Sequence, residues 1–264
     1  MSADTSYPPA LPQDSIVELL PNLYLLRGSC DVMPGISINR NMVILRQGDE
    51  LTLIGSVRMT PDNEQALDRL GTVAHLVRIG GHDMDVDYTL ARYHPKVWCV
   101  AGAQTDAPFG SNDSIASFDT ATGLSCVEAD VLPFRGIRMV EVALLWREHG
   151  GVLITSDALQ HYGDWRFFNL RSRLIHPLMG FRRGMIVGPM WHRLLTTDEA
   201  ATRESFDALL DQSFRHMIGL HGTFCRDVAK DRIRDAIHRE FVAGPAMSNL
   251  ALRIVERQIG SRSL

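Results

Sequence analysis

The chain has little to staple it and no segment suited to crossing a bilayer. Its four cysteines, Cys30, Cys99, Cys126 and Cys225, lie far apart and form no Cys-x-x-Cys pair, which excludes a zinc ribbon, a redox dithiol and a disulfide framework. Buried free thiols are the reading that remains. No uninterrupted apolar stretch is long enough to span a membrane. The first fifteen residues, MSADTSYPPALPQDS, have no basic start followed by an apolar run, so no secretory signal is read and a cytoplasmic address is the default. A formal net charge of −4 excludes the overall basic balance of a general nucleic-acid binder, and no such partner is expected. Internal repeats and low-complexity tracts are also missing.

What is present is a globular composition. The 264 residues are 45% hydrophobic and 22% charged, enough for a large core in one domain or two small ones. Residues 1–15, rich in Pro, Ser and Asp, read as a flexible arm. From Ile16 the runs Leu23 to Leu26, Asn41 to Leu45 and Leu51 to Ile54 read as antiparallel strands, the last two separated by the turn signal Gln47-Gly48-Asp49. Thr60-Pro61-Asp62-Asn63-Glu64 then supplies an N-cap, a first-turn proline and acid, which predicts a helix over 61–70 closed by Gly71 in a left-handed conformation. A strand over 74–79, a helix over 85–93 and a strand over 96–100 make a β-loop-α-β unit. Residues 104–122 read as loop, and Leu124 to Glu128, Ile137 to Trp146 and Gly151 to Thr155 as strands of a second sheet. Thr196-Thr197-Asp198-Glu199 resembles a capping box ahead of Phe206, Leu209, Leu210 and Phe214 at helical spacing. A strand over 216–220 and a helix over 226–241 complete a single domain of two sheets between outer helices.

The chemistry gathers in Gly80-Gly81-His82-Asp83-Met84-Asp85-Val86-Asp87. Asp83-x-Asp85-x-Asp87 copies half an EF-hand loop, but Tyr88 and His94 stand where that loop needs Gly and a bidentate Glu. Asp85-x-Asp87-x-Thr89 copies a phosphatase nucleophile, which wants its first Asp at the tip of a buried strand, and residues 80–84 intervene. The bland alternative is that these aspartates are solvated or cap the next helix, where Asp85 or Asp87 would favour its dipole. A metal site is the fourth reading, because Ser156-Asp157-Ala158 and His221-Gly222 each follow a predicted strand. Ligands from separated segments converge when a scaffold delivers each to one edge.

On these residues the chain resembles the metallo-β-lactamase-fold hydrolases from about Ile16 to Phe241, which implies an αββα sandwich. In that family the loop reads His-x-His-x-Asp-His. Here Gly81, Asp83, Asp85 and Val86 stand at those positions, and Ile137 stands where a later histidine is expected. Asp85, Asp157 and His221 match, so the resemblance implies a degraded, oxygen-rich set of Asp83, Asp85, Asp157 and His221. Such a set suits one harder divalent ion, Mn or Fe(II), better than Zn, or holds none. Asp157 and His221 can equally be a polar pair that bonds to itself. The implied activity is hydrolysis of an unidentified small molecule, and the alternative is a non-catalytic binding protein on the same fold.

The stretch 159–195 carries six arginines, Arg166, Arg171, Arg173, Arg182, Arg183 and Arg193, against Asp164 alone. Trp165, Phe167, Phe168, Phe181 and Trp191 are interleaved with them. Prolines and glycines cut it into short helices. By resemblance it is a lid whose Arg166 and Arg171 bind an anionic substrate. Composition alone also permits a membrane-surface or RNA contact, or a core or homodimer contact with the arginines in solvent.

Overall fold

The computed structural model describes residues 7–81, 84–102 and 115–242. Its first sheet begins as a meander of β1 (Val17–Leu20), β2 (Leu23–Met33), β3 (Ile36–Gln47) and β4 (Glu50–Ile54), paired antiparallel. It continues in parallel through β5 (Thr72–Arg78), β6 (Lys96–Val100) and β7 (Ile115–Phe118). The crossovers are α1 (Pro61–Leu70) and α2 (Val86–Tyr93). A second sheet holds β8 (Ala129–Pro133), β9 (Val142–Trp146), β10 (Val152–Thr155) and β13 (His216–Gly219), in the order β13-β10-β9-β8. Between β10 and β13 come the hairpin pair β11 (Leu159–Tyr162) and β12 (Gly184–Val187), with α3 (Leu170–Ile175) inside it, then α4 (Pro189–Leu195) and α5 (Glu199–Asp211). The last described helix is α6 (Ala229–Phe241).

Three apolar layers make this an αββα sandwich, as the sequence implies. Leu25, Val43 and Val77 of the first sheet meet Leu144, Val152 and Ile218 of the second in one buried cluster. The outer face of the first sheet packs Met42, Ile44 and Leu53 on Leu67 and Tyr88 of α1 and α2. The outer face of the second packs Leu145, Leu153 and Met217 on Trp191, Phe206 and Ile233 of α4, α5 and α6. The strands β9 and β10 are apolar on both sides because both faces are covered.

Local chemistry explains several element ends. Pro61 opens α1 with Asp62 and Glu64 in the first turn, and Gly71 closes it, its N–H reaching the Leu67 carbonyl. Gly71 is extended rather than left-handed, at φ 158° and ψ −167°. Its need for glycine is close approach, since a Cβ there would collide with the Asp49 carbonyl. Asp198 caps α5 by accepting from the Ala201 N–H at 3.1 Å.

Other expectations are corrected. Ile115–Phe118 is an edge strand inside the expected loop, while Leu124 to Glu128 turns and the strand starts at Ala129. The 159–195 stretch is not all helix, because β11 and β12 form a hairpin around α3. Of the N-terminal arm, Pro12 and Asp14 bond to β2 through Ser29 N–H and Arg27 carbonyl, at 2.9 and 2.8 Å. Cys30, Cys99 and Cys225 are buried and Cys126 is half-buried, and none of the four is in a disulfide. Among the described residues, no helix is long and apolar enough to cross a membrane.

Candidate functional site

Parallel pairing sets the site. β10 and β13 run in register from Val152 opposite His216 to Thr155 opposite Gly219, so both strands stop at the same edge. Two residues further along each chain lie Asp157 and His221. Their side chains meet with His221 Nε2 3.4 Å from Asp157 Oδ1. His221 Nδ1 lies 2.7 Å from the Asn39 carbonyl, which can only accept, so Nδ1 carries a proton. In the neutral ring Nε2 then holds the lone pair turned to Asp157.

The row extends in the other direction. Gln160 Nε2 donates to Asp157 Oδ1 at 3.4 Å, and Tyr162 Oη donates to Gln160 Oε1 at 2.8 Å. Tyr162, Gln160, Asp157, His221 and Asn39 therefore form one continuous polar line at the strand ends. Burial pushes the Tyr162 phenol above its ordinary range, with the Asp157 charge adding to it. Burial also lifts the nearby Cys30 thiol to about 11, against the pull of buried Arg40.

Two asparagines hold the turn that carries His221. The Asn41 amide donates to the Gly219 and Gly222 carbonyls at 2.7 and 3.1 Å, and its Oδ1 accepts from Asn39 Nδ2 at 3.1 Å. Asn39 Oδ1 accepts the Gly222 N–H. Gly222 itself sits at φ +97°, where its missing Cβ leaves room for the His161 carbonyl. A strand of the first sheet thus fixes a loop of the second.

Glu141 is the other buried carboxyl at this edge, 3% exposed at the foot of β9. Its Oε1 accepts from the Ala158 N–H at 2.8 Å. Burial, then the charge of Asp157, raises its pKa well above the ordinary glutamate range. A raised folded-state value favours the native state below the ordinary range, and this contribution is lost as pH rises toward the folded value. Glu141→Gln keeps an acceptor and removes the ionisation. The variant should match the parent in acid and gain on it steadily as pH rises above the ordinary glutamate range, in denaturant titrations. A stability difference independent of pH would contradict this.

The remaining loop carboxylate goes elsewhere. Asp85 precedes α2 in a left-handed conformation at φ +58°, and its side chain makes no cap bond. Both its oxygens are taken by Arg58, Oδ2 by the backbone N–H at 3.1 Å and Oδ1 by Nη2 at 3.0 Å. Asp83 and His82 lie outside the described residues. Ile137 forms an isolated bridge with Thr196 and packs on the outer core of the second sheet.

The stretch 159–195 folds over the edge with its aromatic side inward. Tyr162, Phe168 and Phe181 are buried against Cys30 and Ile38. His176 meets Phe168 and Phe181 edge-on at 4.8 and 4.9 Å, and its pKa is lowered by burial. Arg166 pairs with Asp14 at 2.7 Å, and Arg171 lies against Gly35 at the tip of the β2–β3 hairpin. Neither arginine bonds to Asp157 or His221.

Comparison with known proteins supplies shape rather than sequence. No protein-family model matches the chain, and no curated protein matches it. Solved structures do match. The metallo-β-lactamase FIM-1 from Pseudomonas aeruginosa, in its mono-zinc form, aligns with 89% of this chain and 99% of its own, at a TM-score of 0.61 and 12% identity. A metallo-β-lactamase from Erythrobacter litoralis, with beta-mercaptoethanol in its active site, covers 85% and 96% at a TM-score of 0.59 and 17% identity. A diflavin flavoprotein fragment from Nostoc sp. covers 86% and 96% at a TM-score of 0.58 and 13% identity. The fold is metallo-β-lactamase-like. Identities this low carry the likeness in fold and leave the site to be judged on its own side chains.

Judged that way, the described residues alone do not complete a metal centre of this fold, and Asp83 lies outside them. Of the four candidate ligands, Asp157 and His221 come together, while Asp85 spends its charge on Arg58. Among the described residues, no group of three or more His, Cys, Asp or Glu side chains gathers closely enough to hold a metal ion. Asn39, Glu141, Gln160 and Tyr162 belong to the edge and escape the motif-based reading. The signals for them were present only as oddities: amides at two alternate positions directly before the apolar run Met42 to Leu45, and an acid directly before five apolar residues.

Proposed function

We propose that the chain is a hydrolase-like protein that acts on a small molecule at the edge where Asp157 meets His221, without the metal centre of the enzymes whose fold it shares. The observation that supports this reading is the polar line from Tyr162 to Asn39, which holds a carboxylate against an imidazole of fixed tautomer. Buried ionisable groups drawn to one edge of a scaffold are the ordinary mark of a functional site.

The chemistry this arrangement allows is general acid–base assistance. Asp157 is 21% exposed, so water can reach it while His221 stays covered. As the oxygen of that water attacks an acyl or phosphoryl centre, its proton passes to the Asp157–His221 pair. The same proton then goes to the leaving group, which restores the pair. His221 keeps its Nδ1 proton on Asn39 throughout, and Gln160 holds the carboxylate in place. A positioned acid–base group of this kind contributes about 10²–10⁴-fold in rate.

Generic esters, thioesters and phosphoesters assayed with excess chelator test the reading. Turnover of at least one class that the chelator leaves unchanged is the expected result. Turnover that vanishes with chelator and returns with zinc or manganese would overturn it. One observation favours a second reading, a non-catalytic binding protein on the same fold: both oxygens of Asp85, a family ligand position, are held by Arg58. No turnover on any class would favour that reading.

A further inference from the structure

The two faces of the stretch after β11 are apolar in different ways. Its aromatic side is used up in the core, where Phe168, Met179 and Phe181 are buried with Ser172 and His176. Its aliphatic side is not. Leu170, Leu174 and Leu178, spaced four residues apart along α3 and the turn after it, are 74%, 66% and 68% exposed, and Ile175 beside them is 40% exposed. Residues at i, i+4 and i+8 form a stripe along one side of a helical segment. Isolated exposed leucines are ordinary on protein surfaces, whereas four within nine residues form a patch.

The hairpin tip between β2 and β3 adjoins this stripe. Asn169 Nδ2 donates to the Gly35 carbonyl at 3.0 Å, the Arg171 guanidinium lies on Gly35, and Val32 of the same tip is 42% exposed. The segment that carries the stripe has charge of one sign. Residues 165–197 contain six arginines and no aspartate or glutamate. Among the described residues, Arg171, Arg173 and Arg183 form no ion pair with a carboxylate, and Arg173 and Arg183 bond to backbone carbonyls, which leaves their charge uncompensated; Arg182 feels the charges of Glu240 and Arg239 on α6. The hairpin contributes one acid, Asp31, which accepts from the Ser37 hydroxyl.

An exposed aliphatic stripe within a field of uncompensated arginines suits an apolar layer behind an anionic surface. A second copy of the chain suits it poorly, because a two-fold contact through this face would set arginines against arginines. We infer that the Leu170-Leu174-Ile175-Leu178 face docks the protein peripherally on an anionic lipid membrane, the aliphatic side chains entering the headgroup boundary and the arginines meeting lipid phosphates and carboxylates. Guanidinium forks match those groups in geometry, and basic side chains near a negative leaflet add to burial of the aliphatic ones.

Co-sedimentation of the full chain with vesicles tests this. Partition into phosphatidylserine-containing vesicles should exceed that into pure phosphatidylcholine by roughly tenfold or more, and should fall as salt rises. Leu174→Asp, at an exposed position that leaves the core untouched, should lower it by roughly tenfold, and Arg182→Glu combined with Arg183→Glu should do the same. Circular dichroism and size-exclusion chromatography of each variant report whether it is folded and whether it is a monomer. Equal partition into both lipids, no partition by the parent chain, or undiminished partition by folded Leu174→Asp would overturn the inference. A dimer of the parent that Leu174→Asp dissolves would also overturn it, since the stripe would then be a protein contact.

Discussion

Asn41→Leu should cost roughly 3–5 kcal/mol in unfolding free energy, a large loss for a substitution at a position that binds no ligand. Asn41 is fully buried in the middle of β3, where leucine has nearly its shape and a better intrinsic fit to a strand. Side-chain volume and propensity therefore predict a neutral change. The hydrogen bonds predict otherwise, because the Asn41 amide is the donor for both the Gly219 and Gly222 carbonyls around His221. Leucine would leave those two carbonyls without that donor and would bury an apolar branch among them. Each buried polar group left unsatisfied costs about 1–3 kcal/mol, and the Asn39 amide also loses one of its acceptors. Urea titration checks this. A loss under about 1 kcal/mol would mean that the turn holds its shape without Asn41.

The same example shows what the sequence could and could not convey. Elements whose causes are local are legible: the proline and first-turn acids of α1, the apolar runs of β6, β10 and β13, and the Asp198 cap of α5 all lie within a few residues of what they determine. β7 escapes because an edge strand with two half-buried residues and a serine has no strong periodicity, and Leu124 to Glu128 misleads because apolar side chains can also pack from a turn. β11 escapes because its buried Gln160 and His161 serve the edge rather than a ladder of apolar contacts. Asp157 and His221 are legible as a pair because each follows a strand, and parallel register brings strand ends together. Asn39 bonds to residues about 180 positions away, and no spacing rule reaches that far.

The insert divides in the same way. Six arginines against a single carboxylate are plain in the sequence, but which side chains would turn inward is not. Aromatic residues have the larger area to bury and take the interior, which displaces three leucines and an isoleucine to the surface. Arg166 is held by a partner the sequence does not announce, an aspartate in the N-terminal segment, and Arg171 lies against a hairpin glycine.

The central claim is that Asp157 and His221 do the chemistry of this edge together and without a metal. Asp157→Asn tests it most directly, because the amide retains the shape and the bond with Gln160 while losing the negative charge opposite His221 Nε2. A neutral amide cannot take the proton of an attacking water, so the loss should reach the 10²–10⁴-fold range typical of a removed general base. The effect should fall mainly on kcat, since the pair acts as the reaction proceeds rather than in holding the substrate. Unchanged thermal unfolding would separate this from loss of structure. The deciding measurement is kcat/KM of parent and Asp157→Asn on the most responsive ester, thioester or phosphoester, with excess chelator throughout. The account predicts parent turnover that the chelator does not alter and a variant slower by at least about 10²-fold. A parent that needs added metal, or a variant within about threefold of the parent, would contradict it.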